Sequence, residues 1–199
     1  DRVCDLGTGT GIIPLLLYAR ENTISADAVE IQPDMADMAA RSMAMNGLNE
    51  KIRVLPGDLR SIRTLLPHAR YDLVTCNPPY GKAGGTLLNP DASKRLARHE
   101  ESCAIEDVAC AAAWLLQNGG RLCCVFPAAR MIELSDAMRK YRMAPKRIRM
   151  VHSRVEKAAH LCLMEGMLDA RPGLIIEPPL VIYDENNAYT PELRRIYGL

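Results

Sequence analysis

Two consecutive prolines, Pro78 and Pro79, close the apolar run Tyr71-Asp72-Leu73-Val74-Thr75-Cys76. The run reads as a buried strand. Prolines fix φ and have no N–H to donate, so the pair must end that strand in a stiff, extended turn. The turn carries the Asn77 amide, two backbone carbonyls and the Tyr80 ring at the carboxyl end of a strand. Ligands of open α/β sheets bind at that edge. A planar nitrogen compound suits such a turn, held by carbonyl acceptors and covered by a ring. A lone Pro-Pro is read as well by a purely structural turn, so the surrounding chain decides between them.

Strand-then-helix units recur on both sides of the turn. Arg2–Leu6 reads as a strand, Ile12–Arg20 as a helix with Pro14 tolerated in its first turn, and 24–31 as a second strand. A helix follows over 33–46, with Gly47 as its stop and a Met35, Met38, Ala39, Met43 core stripe. Strands at 52–55, 71–76 and 122–126 and helices at 99–116 and 130–141 continue the pattern, with Asn118-Gly119-Gly120 stopping the first of those two helices. The last strands, 148–151 and 161–167, have no helix between them and are expected to pair antiparallel at one edge. The whole predicts an α/β fold: a mostly parallel seven-stranded sheet with one antiparallel edge strand and helices on both faces. Residues 81–91 read as a loop and 180–183 as a short added strand. A single domain over 1–199 is expected, with an N-terminal lead-in missing because the first strand starts at once.

Composition narrows the class. With 48% apolar residues the chain can bury one full core. It has neither an apolar stretch of membrane-spanning length nor a charged-then-apolar leader. Seven cysteines without a Cys-x-x-Cys pair fit buried thiols in a reduced, cytoplasmic protein better than disulfides or a metal site. Net charge is +1, yet residues 139–157 hold eight bases against Glu156, which leaves −6 for the remainder. A polyanion and a solvated face explain such a segment equally well.

Asp5-Leu6-Gly7-Thr8-Gly9-Thr10-Gly11 joins the first strand to the first helix, and its glycines allow a ligand close to the backbone. Glu30 stands nineteen residues after Gly11, where an acid accepts both hydroxyls of a ribose. Dinucleotide dehydrogenases share this layout but need a small residue at the sixth position of Gly-x-Gly-x-x-Gly. That position is Ile12 counted from Gly7 and Pro14 counted from Gly9, so the NAD reading fails. A ligand with a sulfonium and an amino acid moiety suits the turn better, with Asp5 near its amino group and Ile31 beside Glu30. After the third strand, Asp58 can accept from an adenine amine while Leu59 packs on the ring. Alone, Asp58 is as readily a helix cap. Three acids after three successive strands resemble the Rossmann-like, class I S-adenosylmethionine-dependent methyltransferases.

Asn77-Pro78-Pro79-Tyr80 in turn resembles the motif of enzymes that methylate planar nitrogens, namely adenine N6, guanine N2 or a glutamine amide. In that chemistry Asn77 and the Pro78 carbonyl accept the two N–H groups of the target amine, and Tyr80 stacks on its ring. Asp5 to Pro14, Val29-Glu30-Ile31-Gln32, Asn77 to Tyr80, Ala97-Arg98-His99-Glu100 and Tyr189-Thr190-Pro191-Glu192 together resemble the bacterial tRNA1(Val) (adenine-37-N6)-methyltransferase family. That resemblance implies S-adenosylmethionine as cofactor, S-adenosylhomocysteine as product and tRNA as partner, without membrane or metal. An anticodon-loop adenine is single-stranded and easily presented. Lys82, Lys94, Arg95 and Arg98 flank the turn and, with Arg147 and Arg149, are candidate phosphate contacts. Glutamine-N5 or guanine-N2 methylation, and a non-catalytic RNA-binding module, remain the alternatives.

Overall fold

The computed structural model describes residues 1–78 and 105–199. Among them nine strands form one sheet: β1 (Arg2–Leu6), β2 (Ser25–Glu30), β3 (Ile52–Pro56), β4 (Tyr71–Cys76), β5 (Leu116–Pro127), β6 (Met143–His152), β7 (Leu161–Leu168), β8 (Ile175–Ile176) and β9 (Leu180–Val181). The order is β3-β2-β1-β4-β5-β7-β6-β8, with β9 also on β6. Neighbouring strands pair in parallel except at β7, which runs antiparallel to both β5 and β6. The antiparallel strand therefore lies one place in from the end of the seven long strands, and β6, β8 and β9 lie beyond it. Strand order reverses between β1 and β4, which puts the sheet's switch point at Leu6 and Cys76.

Helices α1 (Ile12–Arg20) and α2 (Pro33–Met45) cover one face. Their Leu15, Leu17, Tyr18 and Met43 pack with Val3, Ile24, Ala26 and Ile52. On the other face a short turn at Leu59–Ser61, α3 (Ile62–Leu65), α4 (Ile105–Leu115) and α5 (Met131–Lys140) enclose the larger core. Pro33 starts α2 at a first-turn position, where a missing N–H costs nothing. The buried stripe of α2 is Ala36, Ala39 and Met43; Met38, expected inside, is 41% exposed, one residue out of phase with that stripe.

Some limits differ from expectation: β6, expected over 148–151, begins at Met143. Asn118-Gly119-Gly120 does not simply stop α4: β5 begins at Leu116, and its pairing with β4 slips between Tyr71 and Leu73. Gly119, at φ 78°, makes that irregularity possible. An unexpected helix, α6 (Pro191–Tyr197), follows Thr190, whose hydroxyl accepts from Leu193 N at 3.3 Å. Leu193 packs with Val151 and Leu180 and fastens the tail to β6. Among the described residues no helix is long and apolar enough to cross a membrane.

A buried polar cluster ties four strands together. Asp27 accepts from Arg53 Nε at 2.7 Å, from Arg2 at 3.3 Å and from the Tyr71 hydroxyl at 2.5 Å. Burying a carboxylate without such partners costs several kcal/mol.

Candidate functional site

The carboxyl ends of β1, β2, β3 and β4 bring the expected residues to one edge. The turn after β1 is left-handed at three points, with φ 68° at Gly7, 57° at Gly9 and 83° at Gly11. Gly7 N and Thr8 N both donate to Val29 O, at 2.9 and 3.0 Å, which folds the turn over the end of β2. A Cβ at Gly7 or Gly9 would meet nothing within 4 Å, so space lies open above them. Gly11 differs: its Cβ would stand 2.5 Å from Met43 Cε and 3.2 Å from Ala39 Cβ. The third glycine thus serves packing of α1 on α2, while the first two leave room for a ligand. Thr10 is exposed between them.

Asp5 is fully buried. Thr75 Oγ1 donates to its Oδ1 at 2.6 Å. Burial pushes the Asp5 carboxyl up to about 6, the Thr75 and Thr8 hydroxyls opposing this and Glu30 adding to it. Neither Oδ2 of Asp5 nor Oγ1 of Thr8 reaches hydrogen-bonding geometry with a partner, and both are buried. An unsatisfied carboxylate oxygen with a hydroxyl close by in an acidic pocket suits an ammonium or sulfonium ligand.

Glu30, also buried, accepts from Gly9 N on Oε2 and from Gln32 N on Oε1, each at 2.8 Å. Its carboxylate therefore braces the glycine turn and retains lone pairs for ribose hydroxyls. Ile31, next to it, is 39% exposed and offers an apolar surface at the crevice. Gly57 N donates to Glu30 O at 2.8 Å, so β3 delivers Asp58 to the same edge. Asp58 also acts as the cap it resembles, accepting from Arg60 N at 2.9 Å. The Arg60 guanidinium lies 2.6 Å from its Oδ2 and holds the carboxyl below its usual range. Leu59 packs partly against the large core.

Asn77 is exposed and Pro78 buried directly after β4, beside the Asp5–Thr75 pair. Pro79, Tyr80, Lys82, Lys94, Arg95 and Arg98 lie outside the described residues. A cavity of about 450 Å³ adjoins the edge, running from Ile13, Thr75 and Cys76 to Arg147, Arg149 and Glu177.

Arg147 and Arg149 are not brought to the crevice as bare cations. Arg147 Nε donates to Glu177 at 2.8 Å, and Arg149 donates to Glu192 at 2.7 Å and to Pro178 O at 2.9 Å. Other bases of the segment are also engaged: Arg142 pairs with Asp169 at the end of β7 at 2.6 Å, and Arg154 donates to Asp184 O in the tail at 3.1 Å. Burial raises the Cys4, Cys123, Cys124 and Cys162 thiols, Cys123 to about 11, which removes thiolate character near neutrality. Thr75, which the motifs do not single out, joins the site through its bond to Asp5; its only signal is a hydroxyl near the carboxyl end of β4.

The methyltransferase small domain model matches residues 1–147. A tRNA1(Val) (adenine(37)-N6)-methyltransferase of Tolumonas auensis is 35% identical over 195 residues, spanning 96% of this chain and 78% of that protein. One from Porphyromonas gingivalis is 31% identical over 199 residues, spanning 96% and 76%. Among solved structures, one described as a predicted O-methyltransferase from Agrobacterium tumefaciens superposes with a TM-score of 0.81 at 23% identity, covering 99% of this chain and 88% of its own. An S-adenosylmethionine-dependent methyltransferase from Aquifex aeolicus gives 0.59 at 16% identity, covering 84% and 81%. At these identities the two structures speak for the fold.

Proposed function

The chain belongs to the methyltransferase small domain family and to the tRNA1(Val) (adenine(37)-N6)-methyltransferase family, and on that premise we propose that it methylates N6 of an adenine in tRNA, position 37 of the anticodon loop, with S-adenosylmethionine as donor. One observation carries the reading. The orphaned Asp5 Oδ2 and the Asn77-Pro78 turn lie at the ends of adjacent strands, linked by the Thr75–Asp5 hydrogen bond at the switch point of the sheet.

When bound, S-adenosylmethionine supplies a methyl group activated by its sulfonium. The chain's residues do the placing. Asp5 Oδ2 and Thr8 Oγ1 take the donor's ammonium, and Glu30 takes ribose hydroxyls on lone pairs not used by Gly9 and Gln32. Ile31 and Leu59 give apolar contact to the adenosine, and Asp58 meets its amine where Arg60 now sits. The acidic edge favours the cationic donor over its neutral product.

Asn77 Oδ1 and the Pro78 carbonyl accept the two N–H groups of the target adenine amine. Conjugation of that nitrogen with its ring weakens, and the lone pair turns toward the methyl carbon. A donor held in line with that lone pair would supply the methyl group, its sulfur leaving with the S–C electron pair, and the nitrogen's proton would pass to water. Alignment supplies most of the acceleration, so no strong base is needed. Tyr80 is proposed to stack on the base.

Total tRNA from a strain lacking the gene, incubated with the chain and labelled donor and digested to nucleosides, tests the substrate. N6-methyladenosine is the expected product. N2-methylguanosine, or label in protein alone, would overturn the assignment.

A further inference from the structure

The ends of β1 and β4 are joined by a side-chain contact as well as by their ladder. Asp5 and Thr75 are direct partners in the parallel register, and the Thr75 hydroxyl donates to Asp5 Oδ1 at 2.6 Å. Asp5 is 0% and Thr75 8% exposed, so water does not compete for this charge-assisted bond. It occupies Oδ1 and leaves Oδ2 buried without a partner, with the Thr8 hydroxyl near it.

We propose that Thr75 is a positioning residue for the methyl donor: by holding Oδ1 it fixes the Asp5 carboxylate so that Oδ2 is presented to the donor's ammonium group. The inference rests on the methyl-donor reading of this edge. It also makes one strand serve both halves of the reaction, because Thr75 stands two residues before Asn77.

The surroundings of Asp5 make the role measurable. Burial and Glu30 on β2 push the carboxyl up, while Thr75 and Thr8 pull it down, leaving it at about 6. Cys4 on β1 and Cys124 on β5 are thiols whose ionisation burial suppresses, so they add no charge near neutrality. Asp27, further along β2, is paired with Arg2 and with Arg53 of β3. Removing the Thr75 hydroxyl therefore deletes a main force favouring the carboxylate, and less of it remains at neutral pH.

The test compares wild type, Thr75→Val and Thr75→Ser, with Thr75→Ala in reserve should valine disturb folding. Carbon-13 NMR follows the Asp5 carboxyl in the donor-free chain, and equilibrium dialysis follows S-adenosylmethionine binding across pH. In T75V the carboxyl midpoint rises by about one pH unit, and donor affinity near neutrality falls roughly tenfold. T75S keeps both values. An unchanged midpoint and affinity in T75V overturns the inference alone, as does equal loss in T75S. A wild-type chain that binds no donor at any pH overturns the methyl-donor reading, and this inference with it.

Discussion

The Glu30 carboxylate accepts from Gly9 N at 2.8 Å across a separation of twenty-one residues, and so anchors the glycine turn after β1 to the end of β2. An acid suited to a ribose is thereby also part of the turn's own structure. Glu30→Gln has one acceptor oxygen for the two amides of Gly9 and Gln32, and turns an NH₂ toward the other. The orphaned amide costs about 1–3 kcal/mol. Thermal unfolding of the donor-free chain should show this loss. An unchanged transition would mean that the turn holds itself.

Gly9 and Gly11 should separate binding from stability. Alanine at Gly9 suffers left-handed strain of about 1–2 kcal/mol but meets no atom within 4 Å. Alanine at Gly11 adds contact with Met43 Cε at 2.5 Å, the movable end of a buried side chain, and with Ala39 Cβ at 3.2 Å, for a total of roughly 2–3 kcal/mol. Donor titration and denaturant unfolding check the pair. Gly9→Ala should lose donor affinity out of proportion to stability, and Gly11→Ala should chiefly lose stability.

Much of this arrangement is legible in the chain because its signals are local. Glycine and proline bound the runs Ile12–Arg20 and Tyr71–Cys76, and both elements match the expected limits. Thr190-Pro191-Glu192 carries a cap, a first-turn proline and a first-turn acid, a local signal for α6 that the expected elements left unused. The start of β5 has no such signal, because Gly119-Gly120 looks the same as a helix stop and as a strand irregularity. What stays hidden is contact at a distance. Thr75 and Asp5 lie seventy residues apart, and Arg149 finds Glu192 forty-three residues on. No spacing rule announces either pair.

Asp5 sets a trade between stability and function. Its folded carboxyl titrates at about 6, against 3.8 ordinarily. Between these values the folded chain holds a proton that the unfolded chain has lost, so stability falls as pH rises through that window. Asp5→Asn keeps an oxygen for Thr75 and has no charge to bury. It should stabilise the donor-free chain near neutrality by about 2–3 kcal/mol, an advantage that fades below roughly pH 4. Donor binding should be lost. Unfolding curves at neutral and acid pH decide the sign.

Arg147 and Arg149 clamp the tail through Glu177 and Glu192. The double change Glu177→Gln with Glu192→Gln should cost about 0.5–1 kcal/mol per pair, since both are partly exposed. The salt dependence of tRNA binding should stay the same. A steeper slope, reporting newly freed phosphate contacts, would return these arginines to the RNA-binding face.

In the proposed mechanism Asn77 clamps the target amine while other groups hold the donor. Asn77→Ala, assayed with unmodified tRNA and S-adenosylmethionine, tests it most directly. A fall in kcat of about a hundredfold or more is expected, with donor and tRNA dissociation constants near their wild-type values. Methyl transfer at an undiminished rate in that variant would contradict it.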